Sequence, residues 1–159
     1  MKSVFITAAI CAVLVGCGKE EEVQATQLTP PPKDFISPDR FLKFRLEAAS
    51  DILKTAATAN GSITTTTSQY KTRYDSTDGV ITYSEIYLLD TAPCSQTEPF
   101  DPIAVLNAVA VNPTKLEERD RMTHLVTYYD HQEKLKISVT CEQDGTPIVV
   151  RFSNKYYGH

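Results

Sequence analysis

Cysteine, histidine and tyrosine are side chains that could form covalent bonds, move protons or build a contact surface. The cysteines are Cys11, Cys17, Cys94 and Cys141, so no Cys-x-x-Cys pair exists to shuttle electrons or close a zinc knuckle. Gly-x-Ser-x-Gly and His-Glu-x-x-His are also missing, as is a glycine loop able to cradle phosphate, and six glycines are few for a nucleotide site. Of the histidines, His131 falls in a turn and His159 ends the chain. Alternation places His124 on the inner face of a strand, where a hydrogen-bonded structural role is expected ahead of a catalytic one. Asp75-Ser76-Thr77-Asp78-Gly79 has too few correctly spaced oxygens for a calcium loop. These patterns assign no catalytic residue, no metal ligand and no cofactor, and they make enzyme activity the less favoured expectation.

Tyrosine points elsewhere. Eight of them, including the pairs Tyr128-Tyr129 and Tyr156-Tyr157, exceed what a core of this size buries. A phenol gives apolar contact area with a polar handle, so a protein-binding surface that includes Tyr156 and Tyr157 is expected. The formal charge of −4, with lysines and arginines spread along the chain, lacks the basic footprint of a nucleic-acid binder.

These side chains need elements to position them, and 159 residues with 42% apolar content suit one domain. Ser37-Pro38 reads as an N-cap and first helical position, and Leu42, Leu46, Ala49, Leu53 and Ala56 recur at helical spacing, which predicts one long helix running to Asn60-Gly61. Arg45 falls inside its apolar arc, where a snorkelling or salt-bridged role is expected ahead of ligand binding. Strands follow over Ser62–Tyr74 and Val80–Leu89, with Thr64-Thr65-Thr66-Thr67 read as a solvated edge. Asp101-Pro102 starts a short helix reaching Val111, and Thr114 with Glu117 has capping-box spacing for a helical turn within Lys115–Arg121.

Near the C-terminus, Leu135, Ile137, Val139 and Cys141 alternate with polar residues, as do Ile148, Val150 and Phe152. An Asp144-Gly145 turn then pairs Val139 with Val150 and Ile137 with Phe152. Pro147 is tolerable in that register at a sheet edge. A loop over Asp130–Glu133 pairs the preceding strand, Met122–Tyr129, and turns Met122, His124, Val126 and Tyr128 inward. The expected fold is α+β, one long N-terminal helix on an antiparallel sheet of about five strands, with a possible second short helix. That element order is similar to small cystatin-like or NTF2-like modules and to several envelope-assembly lipoproteins.

The N-terminus is the most specific segment. Lys2 precedes an apolar run from Val4 to Val15, too short to span a bilayer as a helix, followed by Leu14-Val15-Gly16-Cys17. This stretch resembles the lipobox of bacterial lipoproteins. The resemblance implies cleavage of a signal peptide, residues 1–16, and attachment of two or three acyl chains such as palmitate at Cys17. Several chains hold a protein stably to a membrane. Gly18, where an aspartate would favour inner-membrane retention, implies the outer membrane, with the periplasmic face and the cell surface both open. Residues 17–34, acidic and then proline-rich through Thr29-Pro30-Pro31-Pro32, read as anchor and tether for a single domain over 35–159.

In that oxidising location the remaining thiols, Cys94 and Cys141, favour a disulfide, with two buried free thiols as the alternative. The expected function is a non-catalytic lipoprotein that binds or helps assemble an envelope protein. A periplasmic carrier of a small apolar ligand is the alternative, and a hydrolase ranks below it.

Overall fold

The computed structural model describes residues 28–91, 100–141 and 147–158. Seven antiparallel strands form one sheet: β1 (Ser62–Thr66), β2 (Tyr70–Thr77), β3 (Val80–Leu88), β4 (Glu117–Met122), β5 (Leu125–Asp130), β6 (Leu135–Thr140) and β7 (Ile148–Ser153). Their spatial order is β1-β2-β3-β7-β6-β5-β4, two meanders joined where β7 returns beside β3. Two short helices accompany them, α1 (Leu46–Leu53) and α2 (Pro102–Ala108).

This architecture overturns the expectation of a long helix on five strands. Pro38–Phe41 forms only a 3-10 turn, and Ser37 makes no side-chain cap bond. Leu42 is then extended and Lys43 takes φ 72°, so the chain leaves the helical path. The amides of Lys43 and Leu46 donate to the carbonyls of Ile81 and Gly79, and Arg45 bridges Val80. Arg45 is thus exposed beside the sheet rather than inside a helical arc. Two turns later Lys54 adopts φ 51° and ends α1. The apolar spacing misled because Phe41 and Leu42 are buried from a turn, while true helical spacing covers only Leu46, Ala49 and Leu53.

One predicted strand proves to be two. The Thr67 hydroxyl accepts from the amides of Gln69 and Tyr70, closing a turn that separates β1 from β2. Asp78-Gly79, with φ 53° and 73°, then turns β2 into β3. Two successive positive φ angles are what a type I′ hairpin requires. Glu117–Met122, expected to include a helical turn, is strand β4; the helical turn lies earlier, at Pro113–Lys115, where the Asn112 side chain accepts from the Thr114 amide.

The last hairpin has the predicted register, Val139 opposite Val150 and Ile137 opposite Phe152; its proposed Asp144-Gly145 turn lies outside the described residues. Pro147 is not at a sheet edge, because it precedes β7, a strand flanked by β3 and β6. Tyr128 pairs with Ile137, so the β5–β6 register is two residues from the expected one. A shift of two keeps the parity, and Val126 and Tyr128 face inward as expected. Met122 does not, while His124 is half-buried with its Nδ1 shielded from solvent. A two-residue turn, Thr123-His124, separates β4 from β5, and Met122 is 59% exposed.

The core lies on one face of the sheet, where Ile63, Ile86, Val150, Phe152, Val139 and Val126 meet Phe41, Ala49, Leu106 and Val109. Asp101 caps α2 by accepting from the amides of Ile103 and Ala104, and Pro102 fills the first helical position. At the other end the amides of Ala110 and Val111 reach back to the carbonyls of Asn107 and Leu106, with Ala110 at φ 58°. This is a Schellman ending whose left-handed position carries a side chain. Ala110→Gly is therefore expected to raise stability by about 1 kcal/mol, read as a higher urea midpoint at constant m-value.

Candidate functional site

Strand alternation sorts the tyrosines between two faces. Tyr70, Tyr74 and Tyr128 lie under the helices and are at most 5% exposed. Tyr83, Tyr87 and Tyr129 point from β3 and β5 to the opposite face, over which no helix or strand of the described residues packs. That open face is polar yet partly dehydrated. Glu85 on β3 is only 8% exposed, accepts from the Tyr83 hydroxyl at 2.9 Å, and lies 3.6 Å from Nε of Arg151 on β7. Arg151 also donates to the Thr140 hydroxyl at 2.9 Å. On β2, Arg73 Nε bonds Asp75 at 3.0 Å, and the Lys71 ammonium stands 5.8 Å from the Tyr87 ring centre. The result is a lattice of paired charges in which Tyr83 and Tyr87 are half-buried and Tyr129 is 8% exposed.

At the far end of the same face, Tyr157 stacks 5.3 Å from Tyr129, and its hydroxyl lies 2.6 Å from Nδ1 of His131. Nε2 of His131 is 2.5 Å from Glu117, whose carboxyl that contact holds below the usual carboxylate range. A carboxylate, an imidazole and a phenol in line suggest a proton relay. Here, however, both ring nitrogens are occupied, and a general base needs one free to meet a substrate proton. The chain ties β4, the β5–β6 loop and the C-terminal turn together.

Tyr156 and Tyr157 do not continue strand alternation, because β7 ends at Ser153. Tyr156 is 50% exposed with Lys155 over its ring, whereas Tyr157 is the half-buried partner of Tyr129. His124 lies in the β4–β5 turn, where its carbonyl accepts from the Cys141 amide. Cys141 is 1% exposed and disulfide-bonded; Cys94 and Cys17 lie outside the described residues. The tyrosines of the open strands were missed as a site because alternation assigns parity only, and the uncovered side becomes known once the helices are placed.

A second candidate is a cleft of about 470 Å³ between the 38–44 segment, the stretch after α2 and the β5–β6 loop. Its floor includes Leu135 and Ile137, and its rim carries Arg40, Lys43, Lys115 and Glu133. Lys43 donates to the Glu133 carbonyl at 3.1 Å, and Asp130 accepts from the amides of Gln132 and Glu133, so much of this charge braces the loop. Among the described residues no cluster of His, Cys, Asp or Glu is arranged to hold a metal. An apolar ligand between helix and sheet would need the space that Leu106, Val109 and Phe152 already fill.

Burial raises the phenol pKa at Tyr70, Tyr74 and Tyr128, with the charges of Asp90, Asp39 and Glu118 adding to it in turn. On the open face burial again leads, and Glu85 pushes Tyr83 and Tyr87 further up. A raised phenol pKa means that the fold favours the neutral form. This contribution to stability is complete below about pH 10, where a free phenol titrates, and is lost as pH climbs through the folded values. Absorbance titration at alkaline pH is expected to show these five rings ionising late, together with loss of the fold. Ordinary titration of all eight in folded protein would contradict the burial.

No protein-family model and no curated protein matches the sequence. Among solved structures, a cysteine-rich secretory protein from Staphylococcus aureus is similar over 79% of this chain, at 10% identity and a TM-score of 0.41. This chain spans 49% of that protein's length, and a likeness of that degree carries no argument about activity.

Proposed function

We propose that the chain is a non-catalytic lipoprotein of the bacterial outer membrane, anchored through acylated Cys17, with Cys94 bonded to Cys141, and that its open sheet face binds another envelope protein. The observation supporting a binding role is the placement of Tyr83, Tyr87, Tyr129 and Tyr157 on the face opposite the helices. Rigid rings with polar tips add contact area at little entropic cost, which is why tyrosine is enriched where one protein covers another.

The anchor and the face are separately testable. Cys17→Ala is expected to abolish labelling by radioactive palmitate and to release the chain from the membrane fraction; normal labelling in that variant would remove the anchor. For the face, a photoreactive residue replacing Tyr87 or Tyr157 is expected to yield the same crosslinked envelope protein in living cells. The same residue at Lys54, beyond the end of α1, should yield none. Equal crosslinking at all three positions would remove the face from the proposal.

A further inference from the structure

The two ends of the sheet are built differently. β4 ends one side with Glu117, Glu118, Arg119, Asp120 and Arg121, and a register irregularity between Glu118 and Asp120. Charge and bulges are the devices by which edge strands avoid pairing with other chains. β1 ends the other side with Ser62-Ile63-Thr64-Thr65-Thr66, which carries no charge, no proline and no register shift.

The backbone of β1 shows which groups face outward. The Thr67 amide bonds the Tyr70 carbonyl on β2, while the Thr58 amide takes the Ser62 carbonyl from the outer side. Antiparallel ladders alternate, so Ile63, Thr65 and Thr67 direct their amides and carbonyls toward β2 and Ser62, Thr64 and Thr66 direct theirs away. The turn at Thr58 serves Ser62, whose amide also meets the Thr58 hydroxyl. Both amides and both carbonyls of Thr64 and Thr66 are left without a partner among the described residues.

We propose that this edge pairs with a second copy of the chain, β1 against β1 and antiparallel, across a two-fold axis through Thr65. The self-pair is consistent over Thr64, Thr65 and Thr66, the part of the strand beyond the Thr58 turn. Thr64 opposes Thr66 of the second copy, and Thr66 opposes Thr64, which satisfies the four outward groups of each chain with four hydrogen bonds in all. The facing side chains are threonines, so no like charges meet, and threonine pairs stabilise such neighbours. α1 packs on β1 and leaves Ile52 half exposed. The sheet would run unbroken through two chains, with the charged β4 strands as its outer ends.

The two-fold axis sets Thr65 directly opposite its copy at a non-hydrogen-bonded pair, where Cα atoms lie about 4.5 Å apart, within reach of a disulfide. In full-length protein in membranes, Thr65→Cys is expected to give a reducible dimer under mild oxidation. Wild type and Thr114→Cys, an exposed position away from β1, should not. Adding Thr64→Pro deletes an outward amide without touching the ladder to β2, and is expected to remove the dimer. Thr65→Lys keeps every backbone group and sets two ammonium groups face to face. It should halve the light-scattering mass of the detergent-solubilised chain. A wild-type monomer, a dimer unchanged by Thr65→Lys, a ladder of higher oligomers, or equal crosslinking by Thr114→Cys would each overturn the proposal.

Discussion

Phe41→Ala is expected to destabilise the fold by about 3–5 kcal/mol, the range for emptying a fully buried aromatic site, read as a lower urea midpoint with m-value unchanged. Phe41 is 2% exposed and meets the rings of Phe44 and Tyr74 edge-on at 5.7 and 5.3 Å. It also pins the 38–41 turn, which contacts β3 and β7. Its loss would therefore loosen the segment that covers the middle of the sheet as well as open a cavity. Ile52 on α1 makes the control, because it is 50% exposed and its truncation should cost well under 1 kcal/mol. A single long helix would have placed both residues at the flanks of one apolar stripe, with comparable costs. Similar losses in the two variants would argue against the turn and for the helix.

The contrast shows what was legible in the sequence. The β6–β7 pairing could be read because alternation on both strands demanded the same partners, and a period of two leaves only the parity to choose. β5 could be read for parity though not for register, since a four-residue loop moved along by one residue shifts the pairing by two and leaves Val126 and Tyr128 facing inward. The helix failed for a different reason. Leu42 keeps helical spacing with Leu46 while contributing to the core from an extended backbone, and periodicity does not record φ. β4 gave no signal because every one of its residues is exposed, so burial imposed no pattern. For the tyrosines, the sequence supported a surplus beyond the core. Their collection on one face depends on which side the helices cover, a tertiary choice that local patterns do not carry.

Cys141→Ala is expected to have the other large effect. The proposed bond to Cys94 closes a loop of roughly fifty residues, and the entropy it removes from the unfolded chain corresponds to about 4 kcal/mol. Cys141 follows β6 as a residue only 1% exposed, and its amide fastens to the His124 carbonyl, so the bond would tie the β4–β5 turn region to the connection that follows β3. Two contributions must be separated, since alanine at a buried position also leaves a cavity. Cys94→Ala removes the cross-link and leaves the Cys141 sulfur to fill its own site. If the bond dominates, both single variants and the double variant lose about the same 4 kcal/mol, because removing either cysteine removes the whole constraint. Reduction of wild-type protein should produce a similar loss while leaving the Cys94→Ala variant unchanged. A full loss in Cys141→Ala with a silent Cys94→Ala would mean that packing at Cys141, rather than a bond to Cys94, holds this corner of the sheet.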